Sequence, residues 1–358
     1  MGLSCGLVGL PGCGKTTIFN AITAAGASSY SGAEMNRAVV SVPDSRVEKL
    51  VEMYHPRKKV LATLDVVDIP GLRASPQASG RSLQLIGHIK DVEALLHIVR
   101  CFQDDLGSDG QTKLDPVSDI ETVDLELMVA DTKTLMNKIE RLENKTKAGN
   151  KDAVRETANC TKVYDAIQKG IPARRQKLNE QELASVKECN LVSLKPVLYI
   201  ANIKSVTDAN NNCVQALKAF ADSEASEMIT ICGKDEADIS QLAPDEQREF
   251  LKELGLKESS MERLLKAAYH MLGLVTFFTT GEDEVRAWTC RKGDKAPVAA
   301  GKIHTDMEKG FIRMEVTSYQ DLIELGSEAA VAKAGKKRVE SREYEVQDGD
   351  IVTVLFNK

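Results

Sequence analysis

Residues 9–16 read Gly9-Leu10-Pro11-Gly12-Cys13-Gly14-Lys15-Thr16, and no other segment constrains the fold so strongly. Three glycines and a proline in eight positions sustain neither a strand nor a helix, so the backbone must turn sharply there. The apolar run 3–9 before the turn reads as a buried strand, and 15–25 behind it as a helix. A strand, a GxxxxGK[ST] loop and a helix in that order form a phosphate cradle. Backbone N–H groups in the loop face phosphate oxygens, and the helix N-terminus adds partial positive charge. The spacing assigns Lys15 to the β- and γ-phosphates and the Thr16 hydroxyl to Mg²⁺. Gly9, Pro11, Gly12, Cys13, Gly14 and Thr17 complete the nucleotide-binding set on this loop.

Two further elements fit the first. Asp68-Ile69-Pro70-Gly71 ends the apolar run 61–68. An aspartate at a strand end followed by xxG places a carboxylate near the metal and a glycine N–H near the γ-phosphate. Asp68 is therefore the second metal residue, and Gly71 joins Lys15 as a catalytic candidate. The third element should read the base. At the end of the run 196–202 stands Asn202-Ile203-Lys204-Ser205, where a guanine site carries Asn-Lys-x-Asp. Asn202 and Ile203, with Cys232-Gly233 after the run 228–232, are the base-contacting candidates. The acid that pairs with the guanine edge is absent at Ser205, so strict guanine selection is not expected.

The runs 61–68, 94–100, 196–202 and 228–232 are short and nearly continuous in apolar residues. Helical stretches separate them, which predicts an α/β fold with a parallel-rich sheet. Between the runs 94–100 and 196–202, Leu125, Met128, Thr132, Leu135, Ile139 and Leu142 recur at threes and fours. That is a heptad-like seam. Gly149-Asn150 breaks it, and Val154, Ala158, Thr161 and Ile167 mark a second helix. The pattern predicts an inserted antiparallel helical arm. After residue 273 the chain turns β-rich, with runs at 276–280, 285–289, 311–316 and 351–356, and reads as a separate small α+β domain. The expected division is 1–121 with 190–273, then 122–189, then 274–358, in keeping with 358 residues.

Composition narrows the function classes. With 42% hydrophobic and 28% charged residues, the chain is not disordered as a whole. A net charge of −6 excludes a general nucleic-acid coat, so any RNA contact is local. The basic run 333–342 offers one such patch, although Glu340 within it suits a solvated helix end equally. No apolar run is long enough to span a bilayer, and no basic stretch opens a secretory signal, so no membrane partner is expected. Eight scattered cysteines without a CxxC pair read as reduced thiols in a cytoplasmic protein.

The order P-loop, DIPGL (68–72), LKPVLYIAN (194–202) and ICGKDEADI (231–239) resembles the YchF/Obg-like ATPase family. The run 277–316 resembles that family's C-terminal TGS domain more specifically, through Glu284-Val285-Arg286-Ala287-Trp288 and Gly301-Lys302-Ile303-His304-Thr305-Asp306. The closing YEVQDGDIVTVLFN (344–357) matches as well, so the resemblance covers essentially the whole chain. It implies a G domain, a helical insertion and a β-grasp-like TGS domain. It also implies hydrolysis of ATP, usually in preference to GTP, and association with ribosomes, through the large subunit or RNA. The chain departs from the family at named places. Gly12 stands where Asn is usual, Ser205 where Glu is usual, and the segment before Val39 lacks the switch threonine. A loop histidine of the family falls near Asp109, which becomes a general-base candidate. Leu72 follows Gly71 and cannot orient water as a glutamine would. Two readings remain: a slow, partner-stimulated ATPase switch with GTP as a second substrate, and a nucleotide-regulated ribosome- or RNA-binding module with negligible turnover.

Overall fold

The computed structural model describes residues 3–24, 28–31, 36–70, 79–103, 114–253 and 258–357. The chain begins β1 (Ser4–Val8), α1 (Lys15–Ala24), β2 (Ser28–Ser31), β3 (Asn36–Ser41), α2 (Ser45–Tyr54), β4 (Lys58–Val60), β5 (Thr63–Asp68), α3 (Ser79–Asp91) and β6 (Ala94–Arg100). It continues with α4 (Pro116–Lys147), α5 (Lys151–Gln168), α6 (Glu180–Val186), β7 (Val197–Asn202), α7 (Asn212–Ser223), β8 (Met228–Ile231), α8 (Gly233–Ile239), α9 (Pro244–Glu253) and α10 (Ser260–Met271). It closes with β9 (Leu274–Thr279), β10 (Glu284–Arg291), α11 (Ala296–Ile303), α12 (Thr305–Lys309), β11 (Phe311–Ser318), α13 (Tyr319–Leu325), α14 (Glu328–Lys333), β12 (Arg338–Glu340) and β13 (Asp350–Phe356).

Two compact units result, one of residues 1–39 and 65–264, the other of 40–64 and 265–358. The first holds a sheet in the order β2-β3-β5-β1-β6-β7-β8. β1 runs parallel to β5 and β6, β6 to β7, and β7 to β8. Crossovers of this kind carry helices on the faces, which is why β1, β6 and β7 are buried almost throughout. In β1 and β5, Leu7 pairs with Asp68, so the acid at the end of β5 lies beside the strand that feeds the glycine loop.

The helical insertion is built differently from the expected seam. Asp115 caps α4 by accepting from the Ser118 amide, with Pro116 in the first turn. Its first half joins the core beneath the sheet, where Ile120, Val123 and Leu127 pack with Leu95, Val99 and Tyr199. Its second half forms another core, of Met128 and Leu135 with Cys160, Val163 and Ile167 of α5. Leu125 is 55% exposed and Val154 45%, so neither belongs to a helix–helix seam. The physical reason is that α4 serves two partners in turn. Its buried stripe therefore follows the sheet first and α5 second.

Two aspartates lie on the buried face of α4. Asp131 is fully buried and accepts from the amides of Val192 (2.8 Å) and Ser193 (2.7 Å). Asp124 pairs with Arg174 at 2.5 Å, and Arg174 also donates to Tyr199 Oη at 3.3 Å. Glu224, after α7, accepts from Tyr199 Oη (2.8 Å) and forms an ion pair with Arg175 (3.0 Å).

The second unit carries a mixed sheet in the order β12-β11-β13-β9-β10-β4. Its core includes Phe277, Cys290, Ala299, Phe311, Met314 and Val352. The division of the chain differs from the expected one here: β4 pairs in parallel with β10, which places residues 40–64 in this unit rather than with the P-loop sheet. Arg46 of α2 is held by Asp44 and, at 2.6 Å, by Asp348. No motif in the sequence marks a strand of three residues that pairs across more than two hundred positions. The basic run 333–342 is largely neutralised within the unit, through Lys336 with Asp321, Lys337 with Glu315, and Arg338 with Asp350.

Asp131→Ala removes the acceptor of two buried amides. Charge-assisted bonds of this kind are worth about 1.5–3 kcal/mol each, so a loss of about 3 kcal/mol is expected in urea unfolding. Asp131→Asn, which keeps one acceptor oxygen, should cost less.

Candidate nucleotide site

The loop between β1 and α1 turns through positive φ at Gly9 (148°), Gly12 (78°) and Gly14 (95°). Two of these positions also tolerate no side chain. A Cβ on Gly9 would run into the Ile98 carbonyl, and one on Gly14 into Nδ2 of Asn202. Pro11, Gly12, Thr16 and Thr17 are exposed along the lip of the loop, while Cys13 is buried beneath it. Burial pushes the Cys13 thiol up, and Lys15 works against that.

Lys15 is only 8% exposed, and its Nζ donates to the carbonyls of Gly9 (2.9 Å) and Leu10 (3.1 Å). The ammonium therefore lies across the loop that presents the amides, held there by backbone carbonyls. Asp68, at the end of β5, is 9% exposed. Burial raises its carboxyl above the ordinary range, and Lys15, Asn36 and Thr16 pull the other way. Asn36 and Thr16 do so through their side chains. Thr16 and Asp68, the two residues expected at the metal, are thus close enough for the hydroxyl to act on the carboxylate. Asn36, at the start of β3, had no sequence signal, because the segment around it lacks the threonine pattern.

The base-reading candidates are placed differently from expectation. Asn202 is 5% exposed, and both ends of its amide are occupied. Nδ2 donates to the Cys13 carbonyl (2.8 Å), and Oδ1 accepts from the Gly233 amide (3.1 Å). Those partners fix the orientation of the amide, since a carbonyl needs the donor end and an N–H the acceptor end. Asn202 holds the loop to the β8–α8 turn, and one N–H of Nδ2 and one lone pair of Oδ1 remain beyond those two bonds. Ile203 is 4% exposed, packs in the core, and donates its amide to the Ile231 carbonyl (2.9 Å), so it does not stack on a ring. Its neighbours in the core, not its position after Asn202, decide where it points. Cys232 is likewise buried, with Sγ 3.1 Å from the Lys204 carbonyl, and burial pushes its thiol up to about 11. Gly233 contributes its amide to Asn202. Ser205 caps a short turn, its Oγ lying 3.1 Å from Thr207 Oγ1. Gly71 and Asp109 lie outside the described residues.

Taken together, β1, β5 and β7 deliver a lysine, a hydroxyl, a carboxylate and a rigid amide bracket to one end of a parallel sheet. That end is where open α/β sheets bind ligands. The donors suit a polyphosphate, and the Thr16 and Asp68 oxygens suit a hard divalent cation.

Comparisons with known proteins agree with this geometry. Residues 4–138 match the family described as 50S ribosome-binding GTPase, and residues 274–357 match the YchF-GTPase C-terminal family, described as a protein of unknown function (DUF933). The chain is 42% identical over 365 residues to the ribosome-binding ATPase YchF of Bacillus subtilis (strain 168), with 100% of both chains covered. It is 40% identical over 362 residues to the protein of that name from Escherichia coli O157:H7, again with 100% of both covered. Among solved structures it is similar to the YchF GTPase of Schizosaccharomyces pombe, with a TM-score of 0.87 and 32% identity over 99% of this chain and 98% of that one.

If Asn202 is a bracket, Asn202→Ala should weaken every nucleotide alike. Equilibrium titrations are expected to show losses of tenfold or more for both ATP and GTP, within a factor of two of each other. A loss confined to one base would return Asn202 to base reading.

Proposed function

The chain belongs to the YchF family, and on that premise we propose that it is a ribosome-associated P-loop ATPase whose nucleotide state switches its conformation. The observation that supports this most directly is the buried Lys15 ammonium lying across the glycine loop after β1, within electrostatic reach of the Asp68 carboxyl. Within that reading the amides of residues 12–17 receive the phosphates. Lys15 leaves the Gly9 and Leu10 carbonyls to meet the β- and γ-phosphate oxygens, an exchange between acceptors that needs no burial of new charge. The N-terminal dipole of α1 favours the same anion.

P-loop NTPases use Mg²⁺. The hard-oxygen pair of Thr16 and Asp68 fits that ion, the hydroxyl as a direct ligand and the carboxylate through water. Bound there, Mg²⁺ neutralises phosphate charge. Asn36 keeps the Asp68 carboxylate oriented towards Thr16. Gly71 supplies an amide to the γ-phosphate, and Asp109 is the candidate base, to be tested by Asp109→Ala. Leu72 offers no water-orienting group, so hydrolysis is slow without a partner.

The ribosome, through its large subunit or RNA, is that partner. Among the described residues no helix is long and apolar enough to cross a membrane, and the proposed setting is cytoplasmic. The β-rich region 274–358 is the TGS domain, joined in its unit by residues 40–64, 122–189 is the helical insertion, and the P-loop sheet with its helices is the G domain.

Phosphate release measured with and without ribosomes tests the activity: a low basal rate should rise several-fold with ribosomes. No release above buffer in either case would leave a binding module without turnover. Lys15→Ala should abolish tight nucleotide binding with the fold intact by circular dichroism. Asp68→Asn should weaken binding in Mg²⁺ and change it little in EDTA.

Base choice follows from Ser205. With no carboxylate for the guanine edge, ATP should bind at least as well as GTP, by about 1–2 kcal/mol. Competition against a fluorescent analogue measures it. A hundredfold preference for GTP would place a guanine reader elsewhere.

A further inference from the structure

Cys101 and Cys213 lie with their sulfurs 3.0 Å apart. Every cysteine of the chain is a free thiol and buried. Among the described residues this is the pair whose sulfurs come within hydrogen-bonding distance. Cys101 follows β6, and Cys213 sits in the first turn of α7, a helix of 12 residues capped by Asn211. Asn211 ties the two segments together, since its Nδ2 donates to the Cys101 carbonyl (3.0 Å) while its Oδ1 accepts from the Val214 amide (2.9 Å).

The environment distinguishes the two thiols. A first-turn position favours a thiolate because the helix dipole and unpaired amides stabilise negative charge. In the reduced pair the Cys213 thiol donates to Cys101 Sγ (3.0 Å) and lies 3.6 Å from the Arg100 carbonyl. Cys213 keeps 9% of its surface open and Cys101 1%. Both thiols are buried, Cys213 less completely, and its first-turn position makes it the better nucleophile of the two, with Cys101 as the resolving thiol. A disulfide needs the sulfurs at about 2.05 Å, so closure calls for an approach of about 1 Å.

The pair also sits directly behind the nucleotide loop. The Cys101 amide donates to the Asn202 carbonyl at 2.8 Å. The Asn202 side chain in turn holds the Cys13 carbonyl and the Gly233 amide. We propose that Cys101 and Cys213 are an oxidisable dithiol that reduces a hydroperoxide by closing to a disulfide, and that closure loosens nucleotide binding through Asn202. The second half rests on the nucleotide reading of the loop.

The chemistry balances. The Cys213 thiolate attacks one peroxide oxygen, the O–O bond breaks, and the departing oxygen leaves as water with a proton, giving a Cys213 sulfenic acid. The Cys101 sulfur gives up its proton and attacks the Cys213 sulfur. The S–O bond breaks and a second water leaves. Two thiols are oxidised to one disulfide as one hydrogen peroxide becomes two waters.

The test uses the full chain, reduced and then titrated with hydrogen peroxide. Free thiols are blocked, peptides are mapped by mass spectrometry, and mant-ATP binding is followed in parallel. The Cys101–Cys213 linked peptide should form before any other cysteine is modified and should disappear with dithiothreitol. The Kd for mant-ATP should rise threefold or more and recover on reduction. Cys101→Ser should stop at a sulfenic acid on Cys213 that dimedone traps, and Cys213→Ser should be inert at both positions.

Alkylatable Cys101 and Cys213 at doses that oxidise other cysteines would overturn the proposal, as would sulfinic acid without a linked peptide. A disulfide that leaves mant-ATP binding unchanged would overturn the coupling through Asn202. Failure of the reduced protein to bind mant-ATP would count against the nucleotide site and the coupling, and peptide mapping would still decide the dithiol.

Discussion

A single carboxamide holds the functional end of the P-loop unit together. Asn202 spans from the Cys13 carbonyl to the Gly233 amide, and it does so while nearly buried. A phosphate loop has a structural problem: its amides must stay free for ligand, so its carbonyls and its trajectory need support from elsewhere. Here Lys15 supports the Gly9 and Leu10 carbonyls and Asn202 supports Cys13. Each hydrogen bond in such a site is worth more than in water, and each is costly to leave unmade. The glycines follow from the same arrangement. Asn202 occupies the space a side chain at Gly14 would need, so the bracket and the missing Cβ are two parts of one constraint.

A second group of polar contacts joins the helical insertion to the sheet. Asp124, Arg174, Arg175, Glu224 and Tyr199 form a buried network, next to His97. Burial holds the His97 imidazole down to about 3, so it stays neutral at ordinary pH, with Arg174 and Lys15 acting in the same sense. One guanidinium nitrogen of Arg174 has no hydrogen-bond partner. Buried ion pairs of this kind often contribute little net stability against apolar packing, whereas an uncompensated one is strongly destabilising. Their value here is in register. An apolar α4 could slide along the sheet, but Asp124 and Asp131 have partners at one position only.

The sequence was most legible where chemistry and backbone geometry coincide. Gly9 to Thr17 could be read as a cradle because positive φ, missing side chains and a lysine at a set distance are all local requirements. Asp68 could be read with it, because a strand-ending acid needs only the alternation of its own strand. Four apolar runs announced β5, β6, β7 and β8 for the same reason. The β-rich runs after residue 273 were legible in the same way, and β9, β10, β11 and β13 lie where those runs put them, within a few residues.

What the sequence determined by itself, then, was the loop, the strand-end aspartate beside it and the parallel sheet beneath them, all set by local backbone demands and short-range order. Only the tertiary structure decided how distant segments use their polar groups. Asn202 was legible as a base-contacting candidate because its neighbours in sequence form half of a known motif; its partners at Cys13 and Gly233 are remote in the chain and invisible to a motif. Leu125 looked buried because a periodicity does not say which partner a helix meets. β4 carried no strand signal because its pairing with β10 is paid for by contacts made across more than two hundred residues. The closeness of Cys101 to Cys213 is of the same kind, since it depends on where β6 and α7 end in space and not on any spacing between the two cysteines.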